Sequence, residues 1–499
     1  MFKTIHNSLF LAILVVTAAL TTISCAKENK DEPSVAKKFV TLKFNTMGGA
    51  PIDSLIVLAG VPSPELTKVK ITKIGYTFEG WYSDSALLSP FDSGKVIPGN
   101  MTLYAKWKDN FTGTKTEIIK SLDNWLNTSP LPRNIGAQSF AKTSLSKEDA
   151  ITARELVIRD GSNQILQKYA KSWNDKLFTN GKQLMKFEYR VLNGDNGGKG
   201  PSLYISLHGG GGTTADVNDQ QWRNQINLYT PAEGIYLAPR SPENLPHMWH
   251  TAYMDDFYDA IIQTAVVMAG VNANRVYLTG YSAGGDGVYQ IAPRMADRWA
   301  AAAMMAGHPG DASAMNLRNI GFTIWVGALD TDYNRAGLAA KWGVSLDALS
   351  ASYPGEYNHF VNVVPNKPHW MDGEDAATIP WMAKFIRNPL PAKISWRQDD
   401  VKHTSFYWIT VDGTVTGNPE LIIERNGNNF TIIKSDYTTF NIGVNDDMID
   451  FMQNVKITYN GNTLFDAKVN RNIEDIYNSM NLRYDSNLIF SSSIKVILP

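Results

Sequence analysis

The spacing of apolar positions changes character several times along the chain. Val40, Leu42 and Phe44 alternate with polar residues and predict a strand, and a β pattern returns through Thr102–Trp107. Between residues 109 and 183 the period becomes helical. There, Ser146-Lys-Glu-Asp149 reads as a capping box, and Ala150, Ala153, Leu156, Val157, Ile165, Leu166 and Tyr169 continue at approximately helical spacing, with an interruption expected at Asp160-Gly161-Ser162. Residues 184–192 alternate as an edge strand. Short, nearly unbroken apolar runs follow at residues 203–207, 235–238, 276–278, 299–304, 322–326 and 360–364, the pattern of strands covered on both faces. From Lys393 the alternation becomes short again, with strands expected at 406–411, 420–424, 431–433, 455–459 and 494–498 and one helix around 473–480. The expected fold class is α/β: a doubly wound, mostly parallel sheet over residues 184–388, preceded by a small β-rich module (39–108) and a helical segment (109–183). A β-rich accessory domain (389–499) follows it.

Charge and cysteine content narrow the setting. With 47 basic and 48 acidic side chains and no long charge run, the chain has no field that would gather nucleic acid. Its one cysteine, Cys25, excludes an internal disulfide. Lys3, the apolar run Leu9–Leu20 and Thr22-Ile-Ser-Cys25 form a secretory signal too short to span a bilayer comfortably. This segment resembles a bacterial lipoprotein signal (1–24). The resemblance implies lipidation of Cys25, a membrane anchor, and residues 25–38 as a charged tether.

Residues 39–108 contain a Gly48-Gly49 turn, Gly75-Tyr-Thr-Phe-Glu-Gly-Trp-Tyr82, Phe91-Asp92 and Thr102-Leu-Tyr-Ala-Lys-Trp107. Together these resemble one Listeria-Bacteroides (internalin B-type) repeat. That resemblance implies an exposed spacer or adhesive module open to a glycan or protein partner, with Trp81, Tyr82 and Trp107 expected in its core.

Candidate chemistry centres on Gly280-Tyr-Ser-Ala-Gly284, which follows an apolar run and precedes a helix-compatible segment. The flanking glycines suit a serine held in strained geometry with close neighbours. Upstream, a strand runs into His208-Gly-Gly-Gly-Gly212, whose Gly209 and Gly210 N–H groups, with that of Ala283, can face a developing oxyanion. The absence of a Gly-Lys-Ser/Thr ending sets a phosphate loop aside. Asp330 follows one later strand and His369 the last, in the order serine, acid, histidine, with Asp332 as a reserve acid. His208 is read as a support for the Gly-rich loop, and Asp286 as a cap or an ordering group for the serine turn. Trp249 and Tyr281 are expected to line a substrate pocket. No spacing suggests a metal, and no cofactor is called for.

Residues 184–388 thereby resemble an α/β-hydrolase. Gly280-Tyr-Ser-Ala-Gly-Gly-Asp-Gly287, Met305-Ala-Gly-His-Pro309 and His369-Trp-Met371 are similar to secreted bacterial hydrolases related to poly(3-hydroxybutyrate) depolymerase-like esterases and prolyl oligopeptidase-type catalytic domains. The resemblance implies a Ser282–His369–Asp330 triad and an oxyanion hole at Gly209 and Ala283. The expected activity is hydrolysis of a small or polymeric extracellular ester, either a polysaccharide side chain or a polyester. A serine peptidase and a non-catalytic surface binding protein are the alternatives. Fewer than twenty residues separate the strands ending near Met304 and beginning near Phe322, so no large lid is expected there.

Overall fold

A computed structural model describes residues 38–499 except 63–65, 67, 68, 70 and 93, so the signal and Cys25 lie outside the described residues. The first sheet comprises β1 (Phe39–Asn45), β2 (Leu55–Leu58), β3 (Tyr76–Tyr82) and β4 (Met101–Asp109), in the order β2-β1-β4-β3. Its alternation buries Val40, Leu42, Leu103 and Ala105 around Trp81, whose ring lies 4.9 Å from that of Phe44. Tyr82 is only partly buried, and so is Trp107, whose indole N–H donates to the Thr46 carbonyl. They flank the core expected to contain them.

Two helices follow, α1 (Glu117–Thr128) and α2 (Lys147–Asn174). Ser146 caps α2 as its sequence predicts, accepting from the Asp149 N–H at 3.0 Å. The expected break at Gly161 does not occur. Gly161 is instead packed closely against Met480, where a Cβ would lie 2.5 Å from Met480 Cε. α2 also ties down the first module: Asn163 exchanges two hydrogen bonds with the Ile74 backbone, and Arg159 pairs with Asp109 at 2.5 Å. The module is seated on the helices along this face.

The central sheet contains β5 (Leu177–Asn180), β6 (Gln183–Leu192), β7 (Leu203–Leu207), β8 (Gly234–Pro239), β9 (Val276–Tyr281), β10 (Ala301–Met305), β11 (Gly321–Gly327) and β12 (His359–Val364). Their order is β12-β11-β10-β9-β7-β8-β6-β5, parallel from β12 through β8, with β6 antiparallel to both its neighbours. β6 is therefore not an edge strand. β5 covers it, which moves the start of this sheet back from residue 184 to Leu177. The helices α3 (Ala215–Ile226), α4 (Ala252–Ala269), α5 (Ala283–Arg294), α6 (Arg335–Ser352) and α7 (Thr378–Met382) connect or follow these strands. Every residue of β7 to β11 is buried, as continuous apolar runs demand.

The C-terminal region forms two sheets. One has the order β13-β16-β17-β19-β20, from β13 (Lys393–Arg397), β16 (Glu420–Asn426), β17 (Asn429–Ser435), β19 (Val455–Tyr459) and β20 (Asn462–Ala467). The other joins β14 (Ser405–Phe406), β15 (Ile409–Thr410), β18 (Thr439–Val444) and β21 (Ser492–Ile497). The strand expected over 406–411 is instead the tight β14–β15 hairpin, turned at Tyr407 with φ 50°. Rings cross between the sheets, with Trp408 and Phe430 5.6 Å apart, and this core is continuous with that of the central sheet. The last helix, α8 (Ile473–Arg483), packs Ile473, Ile476, Tyr477 and Met480 against Ile119, Leu122, Trp125 and Leu156 of α1 and α2. Chain segments from both ends thus share one apolar cluster.

Candidate active site

β7 and β9 are neighbours, but the chain leaves them in opposite directions, β7 towards β8 and β9 towards β10. The crevice beyond their C-terminal ends is the topological switch point, where open α/β sheets bind ligands. The two Gly-containing motifs meet there. Ser282 occupies the turn between β9 and α5 with φ 57° and ψ −120°, a conformation that costs a non-glycine residue about 1–3 kcal/mol. Its N–H donates to Met305 O at 2.9 Å, and its carbonyl accepts the Asp286 N–H at 3.0 Å, which fixes the strained turn at both ends. A Cβ on Gly280 would lie 2.3 Å from Gly284 O, and one on Gly284 would lie 2.2 Å from Leu207 O. Only glycines allow strand and helix to approach this closely.

The chain brings two distant side chains to the serine. His369 Nε2 lies 3.0 Å from Ser282 Oγ, and His369 Nδ1 lies 2.7 Å from Asp330 Oδ2. Asp330 is 2% exposed, so its carboxylate is held in the interior while the paired His369 ring stays open to the crevice. Arg335 reaches the other carboxylate oxygen at 3.3 Å. An Nδ1–H donated to Asp330 leaves Nε2 as an acceptor for the serine hydroxyl, the tautomer that proton abstraction from Ser282 needs. Asp332, the reserve acid, is exposed and stays out of this chain of bonds.

The loop after β7 lies close against Ser282. A Cβ on Gly209 would sit 3.2 Å from Ser282 Cβ, while Gly210, at φ 99°, has the Asn218 side chain in the space of its missing Cβ. Asn218 Oδ1 takes the Gly211 N–H at 2.8 Å, and the N–H groups of Gly210 and Ala283 make no backbone hydrogen bond among the described residues. His208 is fully buried; its Nδ1 donates to Gly209 O at 2.6 Å and its Nε2 accepts the Ser241 N–H at 3.2 Å. Burial holds its pKa down at about 3.

The expected Trp249 pocket wall is corrected. Trp249 has no exposed surface; its indole N–H donates to His208 O at 2.8 Å, and its Cβ lies against Gly287. It supports the loop from beneath, because the apolar ring is worth more in the core than at a wet rim. Tyr281 is likewise buried. Its hydroxyl donates to His369 O at 2.7 Å and accepts the Met371 N–H at 3.2 Å, which pins the histidine loop. Asp286 takes the His308 N–H at 2.5 Å and fastens the loop after β10 to the serine turn, and burial raises its pKa. Asn218 and Arg335 carry no motif and escape sequence reasoning; only their partners in space mark them.

The His208 environment predicts an acid sensitivity. Its folded pKa of about 3 lies below the ordinary 6.5, so between these values the unfolded chain binds a proton that the folded chain refuses. This contribution is neutral at pH 7 and destabilises increasingly as pH falls below 6.5. Between pH 7 and pH 5 the stability loss measured by urea unfolding is expected to shrink by about 2 kcal/mol in His208→Asn. An unchanged loss assigns the sensitivity elsewhere.

Residues 41–106 match the Listeria-Bacteroides repeat domain family. No curated protein matches the sequence. Among solved structures the chain is similar to a thermostable esterase, at 18% identity and TM-score 0.32, over 42% of this chain and 62% of that one. It is also similar to Est1E from Butyrivibrio proteoclasticus, at 16% identity and TM-score 0.27, over 42% and 95% of the two chains. A third is a feruloyl esterase module from Clostridium thermocellum complexed with sinapinate, at 14% identity and TM-score 0.30, over 42% and 86%. Residues 41–106 carry a Listeria-Bacteroides repeat, and the strand order of the central sheet that follows, parallel apart from β6 and its partner β5, is that of the α/β-hydrolase fold.

Proposed function

We propose that the protein is a serine hydrolase that cleaves a carboxylic ester through an acyl-enzyme. The observation that carries this reading is the continuous hydrogen-bonded line Ser282–His369–Asp330 at the switch point, beside a side-chain-free loop. In the reaction Ser282 Oγ bonds to the ester carbonyl carbon as its proton passes to His369 Nε2. Asp330 stabilises the imidazolium, and the N–H groups of Gly210 and Ala283, beside Gly209, receive the oxyanion. Collapse of the tetrahedral species breaks the C–O bond, and His369 protonates the leaving alcohol. Water then repeats the sequence, releasing the acid and restoring Ser282.

A fluorophosphonate probe tests the nucleophile directly: the expected adduct is on Ser282, and folded protein that takes no label removes the proposal. Asp330→Asn is expected to lower kcat on 4-nitrophenyl acetate by about 10⁴-fold, because the amide favours the wrong imidazole tautomer. A loss below about tenfold excludes Asp330 as the orienting acid.

The substrate we favour is an extracellular ester, with the enzyme exported and anchored through Cys25. Radiolabelled fatty acid is expected to enter the wild-type protein in a bacterial host and to be absent from Cys25→Ala.

A further inference from the structure

Three apolar side chains flank the triad and face water. Leu329, next to Asp330, is 59% exposed, Tyr333 is 77% exposed, and Trp370, next to His369, is 47% exposed. None of them is loosely placed. The Leu329 N–H donates to Lys367 O at 2.8 Å, and the Trp370 ring lies 5.5 Å from that of Tyr281. On one face of the Tyr333 ring stands the Arg335 guanidinium, 4.8 Å from the centroid, the same group that reaches Asp330. Most of the Tyr333 side chain remains open to solvent.

The backbone beneath Tyr333 is strained. Tyr333 has φ 54° and ψ 18°, and Asn334 follows with φ 57° and ψ 34°. Asn334 tolerates the left-handed region, but for Tyr333 it costs about 1–2 kcal/mol, and this strain aims an aromatic ring into water and adds nothing to the core. Strain of this kind, held beside a reacting centre, is a mark of function.

Polar groups accompany these side chains. Asp332 and Asn334 are exposed on either side of Tyr333. Asp286, on which the charges of Arg335 and His369 act, gives one carboxylate oxygen to the His308 N–H, while the other makes no hydrogen bond among the described residues. A flat apolar face bordered by hydrogen-bonding groups matches a sugar ring, which presents C–H bonds on its faces and hydroxyls at its edge. A polyester chain offers no such hydroxyls. A long acyl chain needs an enclosed channel, whereas residues 306–320, the connection in which a covering lid could sit, are short and carry a single six-residue 3-10 helix, Ala314–Asn319.

We propose that Tyr333 and Trp370 form a stacking platform for the sugar ring of an esterified glycan, placing its ester at Ser282. The platform rests on the serine hydrolase reading and names its substrate class. Its test uses the chain from residue 26 onward, with partially acetylated xylooligosaccharides and 4-nitrophenyl acetate as paired substrates. In Tyr333→Ala and Trp370→Ala, kcat/KM is expected to fall about tenfold further on the oligosaccharide than on the nitrophenyl ester, mainly through KM. Tyr333→Phe, which keeps the ring, is expected to recover most of the oligosaccharide rate, and thermal melts verify that each variant is folded. Equal losses on the two substrates, no loss on the oligosaccharide, or a wild type that hydrolyses only the nitrophenyl ester would each overturn the platform and leave the hydrolase standing. A wild type inert on both and unlabelled by fluorophosphonate removes the hydrolase reading, and the platform with it.

Discussion

Ser282→Ala is expected to lower kcat on 4-nitrophenyl acetate by about 10⁴- to 10⁶-fold while the protein remains folded. The size of the loss follows from what remains. Without Oγ there is no atom to carry the acyl group, and His369 loses its proton donor at 3.0 Å, so only the oxyanion site and substrate binding act on water. The fold is spared because alanine keeps the Cβ and the backbone bonds to Met305 and Asp286 that hold the turn. Ser282→Gly sharpens the test. It relieves the positive φ and is expected to raise stability by about 1 kcal/mol while being equally inactive, which separates catalytic loss from damage. Turnover by purified Ser282→Ala at a rate near that of the wild type would end the proposal.

Gly210→Val is expected to damage both rate and fold. At φ 99° a β-branched residue is sterically excluded, and its Cβ would lie 2.2 Å from Asn218 Oδ1, the atom that holds the next N–H of the loop. Rotation of the loop withdraws the Gly210 N–H from the oxyanion, which lowers kcat by about 10²- to 10³-fold. Displacement of Asn218 adds a stability loss of about 3 kcal/mol, readable in urea unfolding. Gly198→Ala serves as a control: that glycine also has a positive φ, but nothing lies within 4 Å of its missing Cβ. Wild-type kcat in a folded Gly210→Val protein would take Gly210 out of the oxyanion site.

The central sheet was legible because strands buried on both faces leave unbroken apolar runs, and the serine turn because its two glycines answer contacts of about 2 Å. The strand β5 was not, since four residues following a long helix carry too little pattern. Gly161 misled for a related reason: a helix-weakening residue in sequence became a place of close approach to Met480 of α8. Trp249 shows the limit at the site itself. A tryptophan near the ends of catalytic strands looks the same in sequence whether it faces the crevice or the core, and its bond to His208 O decides for the core. The strand-end positions of Asp330 and His369 were readable, whereas the supporting contacts of Tyr281, Asn218 and Arg335 depend on loops whose paths no periodicity encodes.

The cluster shared by α1, α2 and α8 also sets a timetable. A chain is made from its N-terminus, and α8 begins about 300 residues after α2 ends. At ordinary rates of synthesis that interval lasts about 15–60 s. Throughout it Ile119, Leu122, Trp125 and Leu156 lack the side chains that cover them in the finished protein. Among the described helices, α1 and α2 are therefore the first to be synthesised and among the last to gain their full apolar cover.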